Sequence, residues 1–210
     1  MNLRSRLVAA AAATGLVAAP LALSAPAAQA APGTTSLAEV LLADTDSGVP
    51  SFDKNGDVFD ILTAAVLAVL DADASSPVSV LTDGEVTLTA FIPTDAAFER
   101  TGKDLGITAK NEEKLTGKLA AALGVDGLEA VLLYHVVPGA KINAKAAAKA
   151  DGAKLDMASG ETVTVNVSKK GIFLKDKAKD FSNPKVIVTD INKGNKQIAH
   201  AINRVLLPTL

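Results

Sequence analysis

Residues 89–98 read TAFIPTDAAF, and this stretch determines more of the fold than any other part of the chain. From 86 to 92, Val, Leu, Ala and Ile recur at every second position, a period of two that predicts a β-strand. Pro93 has no amide hydrogen, so it ends the strand, and Thr94 and Asp95 then offer oxygens that cap the free amides of a helix. The stretch therefore predicts a strand, a corner and a short helix. Two aromatic residues are expected to be buried on either side of the corner: Phe91 and Phe98.

Two helices are predicted before this strand. Ser36 is a typical N-cap residue for a brief helix that ends before Gly48. Apolar residues between 58 and 70 then recur at spacings of three and four, which predicts a longer helix. Asp57 stands at the start of that helix, where we expect its carboxylate to cap free amides.

The remainder of the chain is predicted to form helices first and strands afterwards. The helices are expected at 111–123 and 128–137 with one further turn at 146–148, and the strands at 163–167, 172–174, 186–188 and 197–207. Lysine and glycine residues at 169–171 and 193–195 are typical of the turns that connect such strands. Helices in the first half and antiparallel strands in the second predict an α+β fold rather than a doubly wound sheet.

The first thirty residues have the features of a secretory signal peptide. Arg4 and Arg6 form a short positive region, an apolar run from 7 to 23 follows, and 28–30 has the small-x-small pattern of a cleavage site. The run falls short of the ~20 apolar residues that a membrane-spanning helix needs. We therefore expect a secreted, extracellular protein with no transmembrane anchor. The expected boundaries are a signal peptide at 1–30 with cleavage near Ala30, a linker at 31–35 and one domain at 36–208.

The composition excludes several classes of protein. The chain has 210 residues, a formal charge of −2 and no cysteine. Nucleic-acid binding depends on the neutralisation of phosphates by basic side chains, so a mildly acidic chain is not expected to bind nucleic acid. A secreted protein without cysteines has no disulfides and depends on its apolar core for stability. About 180 residues after cleavage are the size of one domain, and we expect a monomer.

Four segments occur in an informative order. FDIL at 59–62 precedes the stretch 89–98, LYHVVPG follows at 133–139, and HAINRVLLP stands at 200–208. Together they resemble the FAS1 (fasciclin, βig-h3) family, whose signatures include the F-x-P-T-D corner, a Tyr-His pair and a C-terminal strand. The match covers nearly the whole expected mature chain, which is similar to small bacterial secreted proteins with a single fasciclin domain. Asn203 stands where many members of the family have Asp.

The resemblance implies both a fold and a function. The implied fold is a roughly seven-stranded, wedge-shaped antiparallel β-sandwich, with helices from the N-terminal half packed along one side. The implied function is that of a non-catalytic adhesion or interaction module without a cofactor. Its expected partner is an extracellular protein or a polymer of the cell envelope or matrix.

The resemblance also implies roles for individual residues. Tyr134 and His135 are the residues expected to bind a partner. Their chemistry leaves a second interpretation open, in which the imidazole is buried against a backbone carbonyl and the tyrosine packs its ring and bonds through its hydroxyl. His200 alternates with apolar residues on its strand, so we expect its side chain to face the core. Residues expected to support the fold are Phe91, Pro93, Thr94, Asp95, Phe98, His200, Asn203 and Pro208.

No catalytic or metal-binding pattern occurs in the sequence. It lacks a G-x-S-x-G elbow, a phosphate-binding loop and a dinucleotide fingerprint. We therefore do not expect an enzyme. The two histidines, His135 and His200, lie far apart in a chain without cysteine, so we do not expect a metal site either. Residues 53–57 imitate the start of a calcium loop, but the glycine comes at the fourth position instead of the sixth. We interpret this segment as a turn followed by a helix cap.

Two alternatives to adhesion remain open. The chain is 49% hydrophobic but only 3% aromatic, which motivates an extracellular binder of a small apolar or carbohydrate ligand, with an apolar crevice between the helices and the sandwich. The other alternative is a hydrolase that uses Asp95, His135 and Asp190.

Overall fold

The computed structural model describes residues 33–43, 49–53 and 55–209. The expected signal peptide and the first two residues of the expected linker lie outside the described residues, and both stay predictions. Within those ranges, no helix is both long enough and apolar enough to cross a membrane.

The described residues form helices in the first half and most of the strands in the second. The helices are α1 (Leu37–Ala43), α2 (Asp60–Ala72), α3 (Asp95–Asp104), α4 (Glu112–Leu133) and α5 (Ala144–Ala147), with a 3₁₀ helix at Pro77–Thr82. The strands are β1 (Leu88–Pro93), β2 (Val136–Pro138), β3 (Lys154–Asp156), β4 (Thr162–Ser168), β5 (Gly171–Lys175), β6 (Val186–Ile191) and β7 (Gln197–Ile202). Gly124 has φ 66° and ψ −179°, which interrupts α4 where the sequence predicts a gap between two helices.

The seven strands form two sheets, in the orders β2-β1-β7-β6 and β3-β4-β5. β1 and β7 pair in parallel, from Leu88 opposite Gln197 to Pro93 opposite Ile202, while the other strand pairs are antiparallel. The α+β class and the two-sheet arrangement are confirmed, and the expected antiparallel pairing is wrong only for β1 and β7 among the strand pairs of the described residues. Residues 94–196, which contain three helices and strands β2 to β6, separate β1 from β7, so no tight turn sets their relative direction.

The four-stranded sheet lies between two buried apolar clusters. Every residue of β1 and of β7 is buried, and successive side chains of a strand point to opposite faces. Leu88 and Ile92 contact the cluster formed largely by α1, α2 and α4. Phe91 belongs to the second cluster, together with Val163 and Leu174 of the three-stranded sheet. The domain therefore has three layers: helices, the four-stranded sheet and the three-stranded sheet.

Two of the predicted helix caps are confirmed. Ser36 and Glu39 form a reciprocal capping box, because the Glu39 amide donates to Ser36 Oγ over 3.1 Å and the Ser36 amide donates to Glu39 Oε2 over 2.7 Å. At the start of α3, the Ala97 amide donates to Thr94 Oγ1 over 3.3 Å. These local bonds begin each helix where the sequence predicts it.

The cap expected from Asp57 is wrong. Asp95 caps α2 instead, since its carboxylate accepts hydrogen bonds from the amides of Asp60 (3.1 Å) and Ile61 (2.9 Å). A carboxylate at this position satisfies free amides and interacts favourably with the positive end of the helix dipole. Asp95 therefore joins the start of α3 to the start of α2.

Other boundaries also differ from the prediction. The helix expected to continue to 137 ends at Leu133, because Val136–Pro138 pairs with β1 as β2. The last strand ends at Ile202 rather than at 207. Strands β2 and β3 have three residues each, too few for a periodic pattern to show.

Gln197 is a buried polar residue that the sequence did not single out. Its side chain is fully buried, and its Oε1 accepts a hydrogen bond from the Leu37 amide over 2.7 Å. Its Nε2 donates to the carbonyl oxygens of Val80 (2.8 Å) and Asp83 (2.9 Å). One side chain therefore connects β7 to the start of α1 and to the end of the 3₁₀ helix.

We expect Gln197→Leu to lower the free energy of unfolding by about 1–3 kcal/mol, because leucine leaves buried backbone groups without partners. Urea unfolding measures the change. Lys193→Leu, at the exposed turn between β6 and β7, is the control and should shift stability by no more than about 0.5 kcal/mol. Equal stability of Gln197→Leu and the wild type would contradict the role assigned to this amide.

Candidate functional site: the Tyr134-His135 pair and the apolar cavity

Tyr134 lies at the end of α4 with its side chain fully buried. The ring belongs to the apolar cluster between the two sheets, and the hydroxyl donates to the carbonyl oxygen of Thr162 over 3.4 Å. Burial raises the pKa of Tyr134 to about 12, and the nearby carboxylates of Asp176 and Glu161 add to the rise. The residue is therefore a neutral hydrogen-bond donor that joins α4 to β4.

His135 follows directly and is only 4% exposed. The Leu206 amide donates to Nε2 over 3.0 Å, so Nε2 is unprotonated and Nδ1 holds the ring proton. Nδ1 donates that proton to the Val131 carbonyl oxygen, 2.7 Å away. Burial lowers the pKa of His135 to about 4, and the bond to Val131 opposes the shift. At neutral pH this imidazole is uncharged and bridges α4 to the C-terminal segment.

This geometry favours the structural interpretation of the Tyr-His pair. Neither side chain reaches the surface, and the polar atoms of both bond within the protein. A partner does not touch Tyr134 or His135 in this conformation. Partner binding by the pair stays a prediction, and any effect of these residues on binding would act through the position of their neighbours.

His200, which is buried, and Asn203, which is half-buried, also connect elements of the fold. The His200 ring stacks on Phe91 with centroids 5.9 Å apart, and its Nε2 bonds with the Ile142 carbonyl oxygen over 2.7 Å. Asn203 Oδ1 accepts a hydrogen bond from the Lys185 amide over 2.8 Å. The expected core position of His200 agrees with its 1% exposure, and the amide of Asn203 holds the start of β6 without a carboxylate.

The three residues of the hydrolase alternative have other roles. Asp95 caps α2. Asp190 Oδ1 accepts a hydrogen bond from the Ala144 amide over 2.7 Å. Both ring nitrogens of His135 bond to backbone groups, so no nitrogen is left to accept a proton from a substrate. The arrangement is unsuited to general base catalysis, which needs a base within hydrogen-bond reach of a substrate proton.

Carboxylates gather near the start of α2. Oxygens of Asp53, Asp60 and Glu112 lie within 4.8 Å of one another. Burial raises the pKa of the neighbouring Asp95 to about 7. The hydrogen bonds that Asp95 accepts from the amides of Ile61 and Asp60 oppose this rise, whereas the negative charges of Glu112 and Asp60 add to it. The predicted turn is present, because the Asn55 amide donates to Asp53 Oδ1 over 2.8 Å. Acidic clusters are common without an ion, so the absence of a metal stays a prediction.

A cavity of about 290 Å³ lies between α2, α3, α4 and the C-terminal segment. Native interiors contain few voids larger than a water molecule, so a partly open space of this volume is a pocket rather than an ordinary gap in core packing. The lining residues are Ile61, Leu62, Ala64, Ala65 and Ala68 of α2, Pro93, Phe98, Thr101, Gly102, Leu105 and Ile107 around α3, Thr116, Leu119, Ala120, Leu123, Leu128, Val131, Leu132 and His135 around α4, and Ala178, Phe181, Val205, Leu207 and Pro208.

The polar side chains in this lining already bond within the protein. Thr101 Oγ1 accepts a hydrogen bond from the Val205 amide over 3.0 Å. Thr116 Oγ1 donates to the Glu112 carbonyl oxygen over 2.9 Å, and His135 bonds through both nitrogens. The wall is therefore apolar in chemistry as well as in composition.

Comparison with known proteins agrees with the fold and with the motifs. The model of the fasciclin domain family matches residues 62–208. The chain belongs to the fasciclin family. The resemblance seen in the sequence is thereby confirmed.

The solved structures include a relative of this fasciclin domain. The FAS1 domain pair from the insect cell adhesion molecule fasciclin I matches with a TM-score of 0.51 at 14% identity, covering 76% of this chain and 51% of that chain. The chain thus spans about half the length of that structure, and the likeness shows the fold. Curated protein sequences contain no match.

Asp95 and His135 affect the pH dependence of stability in opposite directions. The pKa of Asp95 is raised from 3.8 to about 7, so the stability contributed by its protonated form is present below pH ~4 and is lost as pH rises to ~7. The pKa of His135 is lowered from 6.5 to about 4, so the stability contributed by its neutral form is present above pH ~6.5 and is lost as pH falls to ~4.

We expect Asp95→Asn to lose stability on acidification more steeply than the wild type. With the carboxyl removed, the opposing contribution of His135 remains, and the slopes should differ by up to ~1.4 kcal/mol per pH unit between pH ~4 and ~6.5. Urea unfolding at a series of pH values measures this. Asp57→Asn, which alters an exposed carboxyl near the same helix, should retain the wild-type profile. Identical slopes in Asp95→Asn and the wild type would contradict the raised pKa.

We expect His135→Ala and Pro208→Ala each to destabilise the domain by ~1–3 kcal/mol. The first leaves Val131 and Leu206 without their side-chain partner and enlarges the cavity; the second removes packing from the cavity wall. Thermal unfolding measures both, with the exposed Lys141→Ala as the control. An unchanged melting temperature in His135→Ala, combined with loss of partner binding, would show that the structural role is wrong.

Proposed function

We propose that this fasciclin protein is a secreted, non-catalytic module that binds an extracellular, cell-surface or matrix component. The observation that supports this most is the fasciclin domain itself, which the family model matches over 62–208. The related FAS1 pair comes from a molecule described as a cell adhesion molecule. The engagement of both nitrogens of His135 supports a role without catalysis.

Secretion rests on the N-terminal sequence. The positive residues, the apolar run and the small residues at 28–30 form a signal peptide pattern. The proposed mature protein begins after Ala30 and acts outside the cell as a monomer, without a transmembrane anchor.

The edge of the four-stranded sheet is the proposed contact surface. β6 is an edge strand in the order β2-β1-β7-β6, and an edge strand presents backbone groups that can pair with another chain. Ile187 and Val188 are 45% and 51% exposed on this strand. Among the large apolar side chains exposed in the described residues, these two are the ones that are neighbours in the sequence. A protein partner that adds a strand or an apolar patch would contact them.

The alternative of a small extracellular ligand also has structural support, on its apolar side. The cavity between the helices is lined almost wholly by aliphatic and aromatic residues. A carbohydrate would need free hydrogen-bonding groups, whereas the polar side chains in the wall are engaged. The apolar form of the alternative is therefore the one that this cavity favours.

We expect labelled mature protein lacking residues 1–30 to be retained saturably by washed cell envelopes or by at least one of a panel of matrix proteins. The double variant Ile187→Lys/Val188→Lys should lose retention, because charge on an edge strand opposes pairing. Val125→Lys is the matched control, since Val125 is 41% exposed but lies on α4.

His135→Ala belongs in the same assay because the family resemblance implies that His135 binds a partner. Its burial leads us to expect retention to fall only in proportion to the unfolded fraction, measured by circular dichroism. Retention of wild type on no surface would contradict the proposed function. Equal retention of the double lysine variant would instead place the contact away from β6.

A further inference from the structure

The cavity between α2, α3 and α4 has no use in the proposed surface binding. We propose that it is a binding site for a single hydrocarbon chain, the acyl chain of a fatty acid or of a lipid, whose polar end stays in water. The inference goes beyond the proposed adhesion function and does not depend on it.

The size of the cavity suits such a ligand. Its volume is about 290 Å³, roughly twice that of an engineered cavity of about 150 Å³ that stays dry and binds benzene. Ligand pockets in proteins begin at about 300 Å³ and are mostly apolar. The space is therefore sufficient for one chain and too small for a bulky multi-ring or branched molecule.

The chemistry of the wall selects against polar ligands. Thr101, Thr116 and His135 all bond within the protein, and the described residues contain no buried side-chain polar atom without a partner. A hydroxyl or a charge inside the cavity would lose its water without gaining a hydrogen bond from these side chains, which is unfavourable. A hydrocarbon chain gains from the same burial.

The cavity is partly open to solvent. Leu105, at the end of α3, is 41% exposed and lines it, and Ala68 of α2 is also exposed and lines it. Isolated apolar voids in a core have no such mouth. An opening of this kind lets a chain enter from one end and leaves its carboxylate or headgroup outside in water. The polar end needs to stay outside because the side chains of the wall have no free hydrogen-bonding group to offer it.

Small residues on two facing helices leave the space empty. Ala65 of α2 and Ala120 of α4 both line the cavity, and either could hold a larger apolar side chain that would fill it. Ala121 is the next residue on α4; it is exposed and does not line the cavity. Ala120 and Ala121 therefore provide a matched pair for testing the site.

The test measures binding of cis-parinaric acid, a fluorescent fatty acid, to protein purified from the medium of cells that express the full chain. We expect saturable binding of one probe per protein, displaced by dodecanoic acid, by dodecanoyl lysophosphatidylcholine or by both, and not by maltose. Displacement by the free acid alone identifies fatty acids as the source of the chain, and displacement by the lysolipid alone identifies lipids. Displacement by neither overturns the proposal.

Ala120→Phe should weaken probe binding at least tenfold, because its ring occupies the cavity, whereas Ala121→Phe should bind as the wild type does. Circular dichroism and thermal unfolding confirm that both variants fold. Should Ala120→Phe fail to fold, Ala68→Phe at the mouth replaces it. Wild-type affinity in a folded cavity variant, or absence of saturable binding by the wild type, overturns the proposal. Retention on envelopes, measured with the same variants, keeps this result separate from the adhesion function.

Discussion

Six backbone pairs, from Leu88 opposite Gln197 to Pro93 opposite Ile202, join β1 to β7 in parallel at the centre of the four-stranded sheet. Both strands are buried along their whole length, so the centre of the sheet is covered on both faces. Because the strands are parallel, their carboxyl ends meet at the same edge. The corner after β1 and the segment after β7 therefore lie together, and the Thr94 amide donates to the Ile202 carbonyl oxygen over 3.3 Å.

This meeting of chain ends explains why the family signatures are where they are. The signature after β1 begins α3 and caps α2 through Asp95. The signature after β7 places Val205 against Thr101 and Leu206 against His135. The Tyr-His signature supplies the imidazole that accepts a hydrogen bond from the Leu206 amide. Each signature is thus one part of a single junction. Its long-range hydrogen bonds pair polar groups that have lost contact with water, and leaving such groups unpaired would be costly.

Local signals in the sequence predict local structure well. Ser36 and Thr94 begin helices as expected, because a cap depends on amides only two or three residues away. The failures involve distance along the chain. The sequence predicts that Asp57 caps α2, but Asp95 does so from thirty-five residues beyond Asp60. The parallel direction of β7 and the bonds of Gln197 likewise depend on tertiary contacts that no local pattern encodes.

The candidate site shows the same division between local and distant information. The resemblance identifies Tyr134 and His135, and their own chemistry allows a buried role, yet only the packing of α4 against the C-terminal segment shows that both are inside. The apolar composition suggests a crevice but cannot place it, because the wall combines residues from α2, α3, α4 and two later segments.

The three-layer arrangement also separates the two proposed binding sites in space. The exposed apolar pair on β6 belongs to the four-stranded sheet, whereas the cavity lies within the helical layer and is lined on one side by the segment after β7. A ligand in the cavity would contact Val205 and Leu207. These residues flank Leu206, whose amide donates a hydrogen bond to His135. Occupancy of the cavity would therefore stabilise the junction by binding the folded state.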